Sequence, residues 1–130
     1  MNTVMLPLAH RRVWVALSVL LVALVIVGSL VPAVRVPHPG NGDKLIHAFA
    51  YFFLAFWFGG LTDRRAHLAV LFGLLALGGM LEVLQGAMHL GREADIKDMA
   101  ANAVGIFAGL AVVRFGGAAW APRVEAWLKG

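Results

Sequence analysis

Three short stretches of this sequence hold side chains able to do chemistry. They are Asp43-Lys44-x-x-His47-x-x-x-Tyr51, Glu82-x-x-Gln85, and Arg92-x-x-Asp95-x-x-Asp98-x-x-x-Asn102. Carboxylates beside a histidine are suited to proton transfer, which makes Glu82, Asp98 and His47 the candidates for a general acid and base. Lys44 and Arg92 are donors for charge-assisted hydrogen bonds to an anionic group. His47 with Glu82, Asp95 and Asp98 offers ligand types that divalent cations accept. No spacing matches a recognised metal signature, however, and neither metal nor cofactor is expected. Phosphate-cradling glycine loops and nucleophile elbows are missing. The chain has no cysteine, so thiol chemistry, disulfides and Cys-ligated metals are excluded.

The elements that must position these residues are apolar. Of 130 residues, 61% are hydrophobic and 14% charged, and the mean hydropathy is +0.82. That balance excludes a soluble globular domain. Runs of about 20 apolar residues cross a bilayer core, and four such spans are expected, at about 13–34, 45–61, 68–90 and 95–113, in one domain covering 1–130. The first is read as a retained helix rather than a signal peptide, being too long and lacking a clean cleavage site. Between the first two spans lies VPHPGNG, a Pro/Gly turn. The tail FGGAAWAPRVEAWLKG is too short and polar to cross again, and its two Trp and scattered charges suggest an interfacial segment. The expected fold is an all-α, four-helix transmembrane bundle with a short interfacial C-terminal tail. The pI near 10.4 does not indicate nucleic acid. The basic residues stand in ones and twos at the ends of apolar runs, which is a pattern of membrane orientation.

Seven Lys and Arg belong to the N-terminus, the loop after span two and the tail: Arg11, Arg12, Arg64, Arg65, Arg114, Arg123 and Lys129. Four belong to the other side: Arg35, Lys44, Arg92 and Lys97. The positive-inside rule then puts both termini in the cytoplasm. The start of span two, the end of span three and the start of span four share the outer half of the membrane, and all the intramembrane polar residues lie there. At a rise of about 1.5 Å per residue, His47 and Tyr51 sit roughly 6 and 12 Å below Asp43, and Asn102 roughly 10 Å below Asp95. Helical phase puts Asp43, His47 and Tyr51 on one face of span two, with Lys44 at its margin. Asp98, Asn102, Gly105 and Gly109 form one stripe of span four, flanked by Asp95, opposite an apolar face containing Val104 and Phe107. Glu82 shares its face with Gly78 and Gly86, with Gln85 at the margin. A carboxylate at mid-membrane costs on the order of 3 kcal/mol, so these groups need one another, or a counter-ion from Lys44, Arg92 or His47. The stretch GREADIKDMAANAVGIFAG, Gly91 to Gly109, carries its polar residues straight into the membrane because they line a pocket open to the outside.

Plainer roles are available for several of these residues. Asp95 and Asp98 suit the positive end of a helix dipole, and Asn102 can serve as interhelical glue. The Gly105-x-x-x-Gly109 spacing is read as helix packing within the chain rather than dimerisation. His10, His38 and His67 are assigned to loops or the interface with no role, and the Phe and Trp of span two to lipid contact.

The ordered set Asp43-Lys44-x-x-His47-x-x-x-Tyr51, Glu82-x-x-Gln85, Arg92-x5-Asp98-x3-Asn102-x2-Gly105-x3-Gly109 resembles the VanZ-like family of small bacterial membrane proteins. The resemblance covers about Asp43 to Gly109. Its founding member is associated with low-level resistance to the glycopeptide teicoplanin, and the resemblance implies a cell-envelope protein of the bacterial cytoplasmic membrane without implying an enzyme. Two functions stay open. One is a binding or modulating protein whose pocket (Asp43, Lys44, His47, Tyr51, Glu82, Gln85, Arg92, Asp95, Asp98 and Asn102) holds a lipid or cell-wall precursor headgroup and alters glycopeptide susceptibility. The alternative is an intramembrane enzyme acting on a lipid-linked headgroup. The lipid bilayer is the expected partner, nucleic acid is not, and the oligomeric state is open.

Overall fold

The computed structural model of the chain describes residues 4–30, 42–88, 95–116 and 120–130, Asp43 by its backbone alone. Four long helices carry the apolar runs: α1 (Arg11–Leu30), α2 (Gly42–Leu61), α3 (His67–Met88) and α4 (Ile96–Phe115). A short fifth helix, α5 (Trp120–Leu128), forms from the tail. All four long helices have the length and hydropathy to cross a membrane. Helices are the expected solution there, because each backbone N–H and C=O is satisfied within its own segment. The fold is the all-α, four-helix bundle expected from the sequence. Residues 31–34 of span one and 89–90 of span three lie outside the described residues.

The helix ends have identifiable causes. His10 closes the start of α1 by accepting from the N–H groups of Val13 and Trp14, at 2.9 and 3.1 Å. Asp63 caps a 3-10 turn, Arg64–Ala66, by accepting from the Arg65 N–H at 3.0 Å, which lets α2 reverse into α3 over a few residues. Asp95 is the N-cap of α4 and accepts from the Lys97 N–H at 2.8 Å. At the other end, Arg64 Nη2 donates to the Arg114 carbonyl at 2.8 Å, favourable for a cation at a helix C-terminus.

The main interface joins α2 and α4, and glycine decides it. A Cβ on Gly105 would collide with the Ala48 carbonyl oxygen, and one on Gly109 with the Phe52 carbonyl oxygen. The two backbones therefore touch, as small residues allow in membrane bundles. The Gly105/Gly109 pair packs α4 on α2 within the chain. The core above them is Tyr51, Leu54, Ala55, Leu74 and Ile106, with Leu21, Val22 and Val25 of α1 resting on its edge. Trp14 of α1 is buried, while Val13, Val19, Leu20, Leu24 and Val27 of the same helix stay exposed, as do Phe49 and Phe53 of α2 and Val104 and Phe107 of α4. Those faces suit hydrocarbon.

Trp57 departs from its expected lipid-facing role. It packs among Trp14 and Trp120, with ring centroids 5.9 and 5.1 Å away, and its indole N–H donates to Ser18 Oγ at 2.9 Å. An indole N–H facing hydrocarbon would be left unsatisfied, whereas Ser18 supplies an acceptor. His67, assigned to a loop or the interface with no role, begins α3 and is buried there, with Nε2 3.1 Å from the Gly59 carbonyl.

The tail helix closes this end of the molecule. Glu125 accepts from the N–H groups of Ala9 and His10 at 2.7 and 2.8 Å and from the Trp14 indole at 2.8 Å. The His10 ring lies 3.5 Å from the same carboxylate. Trp120 donates to the Phe56 carbonyl at 3.0 Å and lies over Gly60, where a Cβ would collide with its ring. Burial by itself pushes the Glu125 carboxyl up. The His10 backbone N–H, the Trp14 indole, the Ala9 N–H and the charge of His10 together outweigh it and hold the pKa at about 2. Because the native value lies below the ordinary 4.5, this contribution to docking is fully present above about pH 4.5 and is lost as pH falls towards 2. Glu125→Gln should weaken tail docking at neutral pH and abolish that acid dependence. Protease cleavage within α5, followed against pH for both proteins, measures it. Equal protection at neutral pH would remove Glu125 as the latch.

Candidate functional site

At the opposite end of the bundle, α2 and the first turn of α4 bring the sequence-selected polar residues together. One turn of helix separates Lys44 from His47, so both project towards α4. Lys44 Nζ lies 3.7 Å from Asp95 Oδ2 and 3.8 Å from Asp98 Oδ1. His47 stands between the next pair, with Nε2 3.9 Å from Asp98 Oδ2 and Nδ1 3.0 Å from Asn102 Oδ1. The shorter contact orients the ring. With the amide oxygen as acceptor, Nδ1 carries a proton and Nε2 is directed at the carboxylate.

Two glycines and a tyrosine complete the inner wall. Gly78 of α3 lies where a Cβ would be 3.0 Å from Asn102 Nδ2 and 3.3 Å from Tyr51 Oη. Its lack of a side chain is what lets α3 approach the Tyr51/Asn102 pair. Glu82, one turn further along α3 and buried, accepts from the Asp95 N–H at 2.5 Å. It thus holds the start of α4, where an anion faces the positive end of the helix dipole. The Asp98 N–H in turn donates to the Asp95 carbonyl at 3.0 Å, so backbone hydrogen bonds connect Glu82 to Asp98 through Asp95.

The side chains grade from wet to dry down the helix axis. Exposure falls from 40% at Asp95 to 28% at Lys44, 16% at His47 and 13% at Asp98, with Asn102 and Tyr51 fully buried below. Asp98 Oδ1 is buried with no hydrogen-bond partner among the described residues, since Lys44 sits at ion-pair rather than hydrogen-bond distance. Such an acceptor is costly unless a donor reaches it.

The expected residues do not all meet. Lys44, His47, Tyr51, Asp95, Asp98 and Asn102 form the cluster, with Glu82 at its border. Gln85 stands apart from it: its amide donates to the Ser29 carbonyl of α1 at 2.6 Å, tying α3 to α1. Asp95 carries both of its sequence readings, capping α4 through one oxygen and facing Lys44 through the other. Arg92 and the side chain of Asp43 lie outside the described residues. Among the described residues, no three His, Cys, Asp or Glu side chains gather as a metal-binding set. Sequence reasoning did not single out Gly78 as a contact for the tyrosine and amide, although its position on the Glu82 face was the available signal. Nothing in the sequence linked Glu125 to Ala9, His10 and Trp14, more than 100 positions away.

Fold and cluster together define a class: a multi-pass, all-helical membrane protein with a cluster of polar side chains built into one end of its bundle. No family model, curated protein or solved structure matches the chain.

Proposed function

We propose that the chain is a VanZ-like protein of the bacterial cytoplasmic membrane whose polar cluster faces outward and binds the headgroup of a lipid or cell-wall precursor, thereby modulating glycopeptide susceptibility. The observation that carries this reading is the Lys44 ammonium between two carboxylates, beside the hydrogen-bond acceptor left open on Asp98. A headgroup that presents both an anionic oxygen and hydroxyl or amine donors suits it. The anion draws Lys44 from its loose ion pairs, and the donor reaches Asp98. Arg92 would add a second cation from the adjoining segment. Both termini are cytoplasmic in this reading.

Expression of the chain in a susceptible bacterium provides the test. Teicoplanin tolerance should rise with the wild-type chain and return to the empty-vector level with Asp98→Ala or Arg92→Ala at equal membrane abundance. Unchanged tolerance in those variants would remove the cluster from the function. Topology reporters after Gly42 and Gly91 should read outside and one after Asp63 inside, and the reverse pattern would move the site to the other compartment.

A second reading draws on one specific contact. The His47 ring, held by Asn102 through Nδ1, points Nε2 at Asp98 3.9 Å away, an arrangement in which a proton can pass between imidazole and carboxylate. An intramembrane enzyme acting on a lipid-linked headgroup would use this pair for proton transfer. Turnover of lipid-linked substrates by wild type, lost in His47→Ala, distinguishes it from binding alone.

A further inference from the structure

The second face of interest lies at the far end from the cluster. The N-terminal segment, the α2–α3 turn and α5 form one continuous surface there. The Leu6 N–H bonds the Leu61 carbonyl at 3.0 Å, the Asp63 N–H bonds the Val4 carbonyl at 3.1 Å, and Glu125 ties α5 to residues 9, 10 and 14. The seven Lys and Arg assigned to this side from the sequence are all exposed. Its acids are fewer: Glu125, buried among two backbone N–H donors and the Trp14 indole, and Asp63, which caps the 3-10 turn.

Exposed apolar groups stand among those cations. α5 turns Ala121 and Glu125 inward and leaves Trp127 79% and Leu128 57% exposed, while Phe115 at the end of α4 is 83% exposed. Arg123 and Trp127 are four residues apart and so share one face of α5. Tryptophan paired with basic residues is the composition that settles at a headgroup layer, the ring among the upper acyl chains and the cation at the phosphates.

We propose that this surface binds anionic phospholipid headgroups, with Trp127 and Arg123 of α5 as its anchors. The net positive charge selects an anionic over a zwitterionic headgroup, and the Glu125 latch holds α5 at the depth where both anchors reach the leaflet. Each basic side chain close to an anionic leaflet is worth about a fivefold gain in affinity, lost as salt screens it.

Quenching of Trp127 in reconstituted full-length protein tests this. Emission is compared between wild type and Trp127→Phe, so that the difference reports Trp127 alone. Vesicles contain either brominated phosphatidylglycerol or brominated phosphatidylcholine at the same mole fraction. The expected result is stronger quenching by the phosphatidylglycerol, reduced by salt, with the preference falling about fivefold for each charge removed in Arg123→Gln and Lys129→Gln. Equal quenching by both lipids would overturn the proposal, leaving apolar insertion only. Absent quenching would overturn it too, placing Trp127 in water. Because the chain lacks cysteine, a polarity-sensitive dye on Trp127→Cys gives an independent reading of the same depth and selectivity. The cluster at the other end takes no part, so failure here leaves the headgroup-binding reading untouched.

Discussion

Gly105→Ala should strongly destabilise the contact between α2 and α4. The added carbon meets the Ala48 carbonyl oxygen and comes within 2.9 Å of the Phe52 nitrogen. These are backbone atoms of α2, with no rotamer change to make room, so α4 must move as a whole. Overpacking of a tight core costs about 1–3 kcal/mol, occasionally more, and a backbone obstacle places this change at the upper end. Gly109→Ala belongs to the same class, since its carbon meets the Phe52 carbonyl oxygen and Ala55 Cβ. The two lie one turn apart in one interface, so their effects should not add. Gly28→Ala and Gly73→Ala are the controls: among the described residues nothing lies within 4 Å of either added carbon, and both should be neutral or slightly stabilising by helix propensity. Thermal unfolding in detergent micelles, read by circular dichroism, orders the four variants. A Gly105→Ala protein as stable as the Gly28→Ala one would mean that α2 and α4 are not in backbone contact. A change in oligomeric state at unchanged stability would turn the glycine pair into a dimer seam.

The second large effect concerns Lys44. Lys44→Met leaves Asp95 and Asp98 facing each other across a partly buried space, with Glu82 bound behind them. Removing one partner of a buried pair costs about 3–5 kcal/mol, while exposed pairs are worth about 0.2–1 kcal/mol. Lys44 and Asp95 are partly wet and Asp98 nearly dry, which places the expected loss between these limits, at about 2 kcal/mol. Asp98→Asn in the same background should recover part of it, because the repulsion and the uncompensated charge both go. The double-mutant cycle of Lys44→Met and Asp98→Asn therefore has a coupling of about 1 kcal/mol or more. Strict additivity would show that the two groups do not interact, and the cluster would lose its central pair. High salt should reduce the Asp95 share more than the Asp98 share, since screening acts on exposed charge.

The two ends of the molecule use polar residues differently. At the terminal end, Glu125 is saturated by three N–H donors and serves to fasten α5. At the other end, the ion pairs are loose and Asp98 Oδ1 has no hydrogen-bond partner among the described residues. A carboxylate fully engaged by donors stabilises, while one held only at ion-pair distance from a cation is suited to exchange partners with a ligand. That contrast is why the functional proposal rests on Lys44 and Asp98, and why Glu125 is read as structural.

Four helices of membrane-spanning length, their approximate limits and the helix faces that carry His47, Tyr51, Asp98 and Asn102 were legible in the linear sequence. Hydropathy runs and a fixed rise and rotation per residue are local properties, and they set span and phase without knowledge of neighbours. Phase likewise marked Gly105 and Gly109 as a packing stripe. Which helix that stripe met was decided only in three dimensions, because a small-residue groove accepts any backbone that reaches it. The partner of each polar side chain was decided there too: Gln85 shares a helix end with Glu82 yet bonds Ser29 of α1, and Glu82 accepts from the Asp95 N–H. Trp57, read as a lipid contact, turned inward because Ser18 and two further indoles offered its N–H and ring better company than hydrocarbon. Pairings across more than 100 residues, such as Glu125 with the start of α1, leave no periodic trace along the chain. They follow from which ends of the helices the bundle brings together.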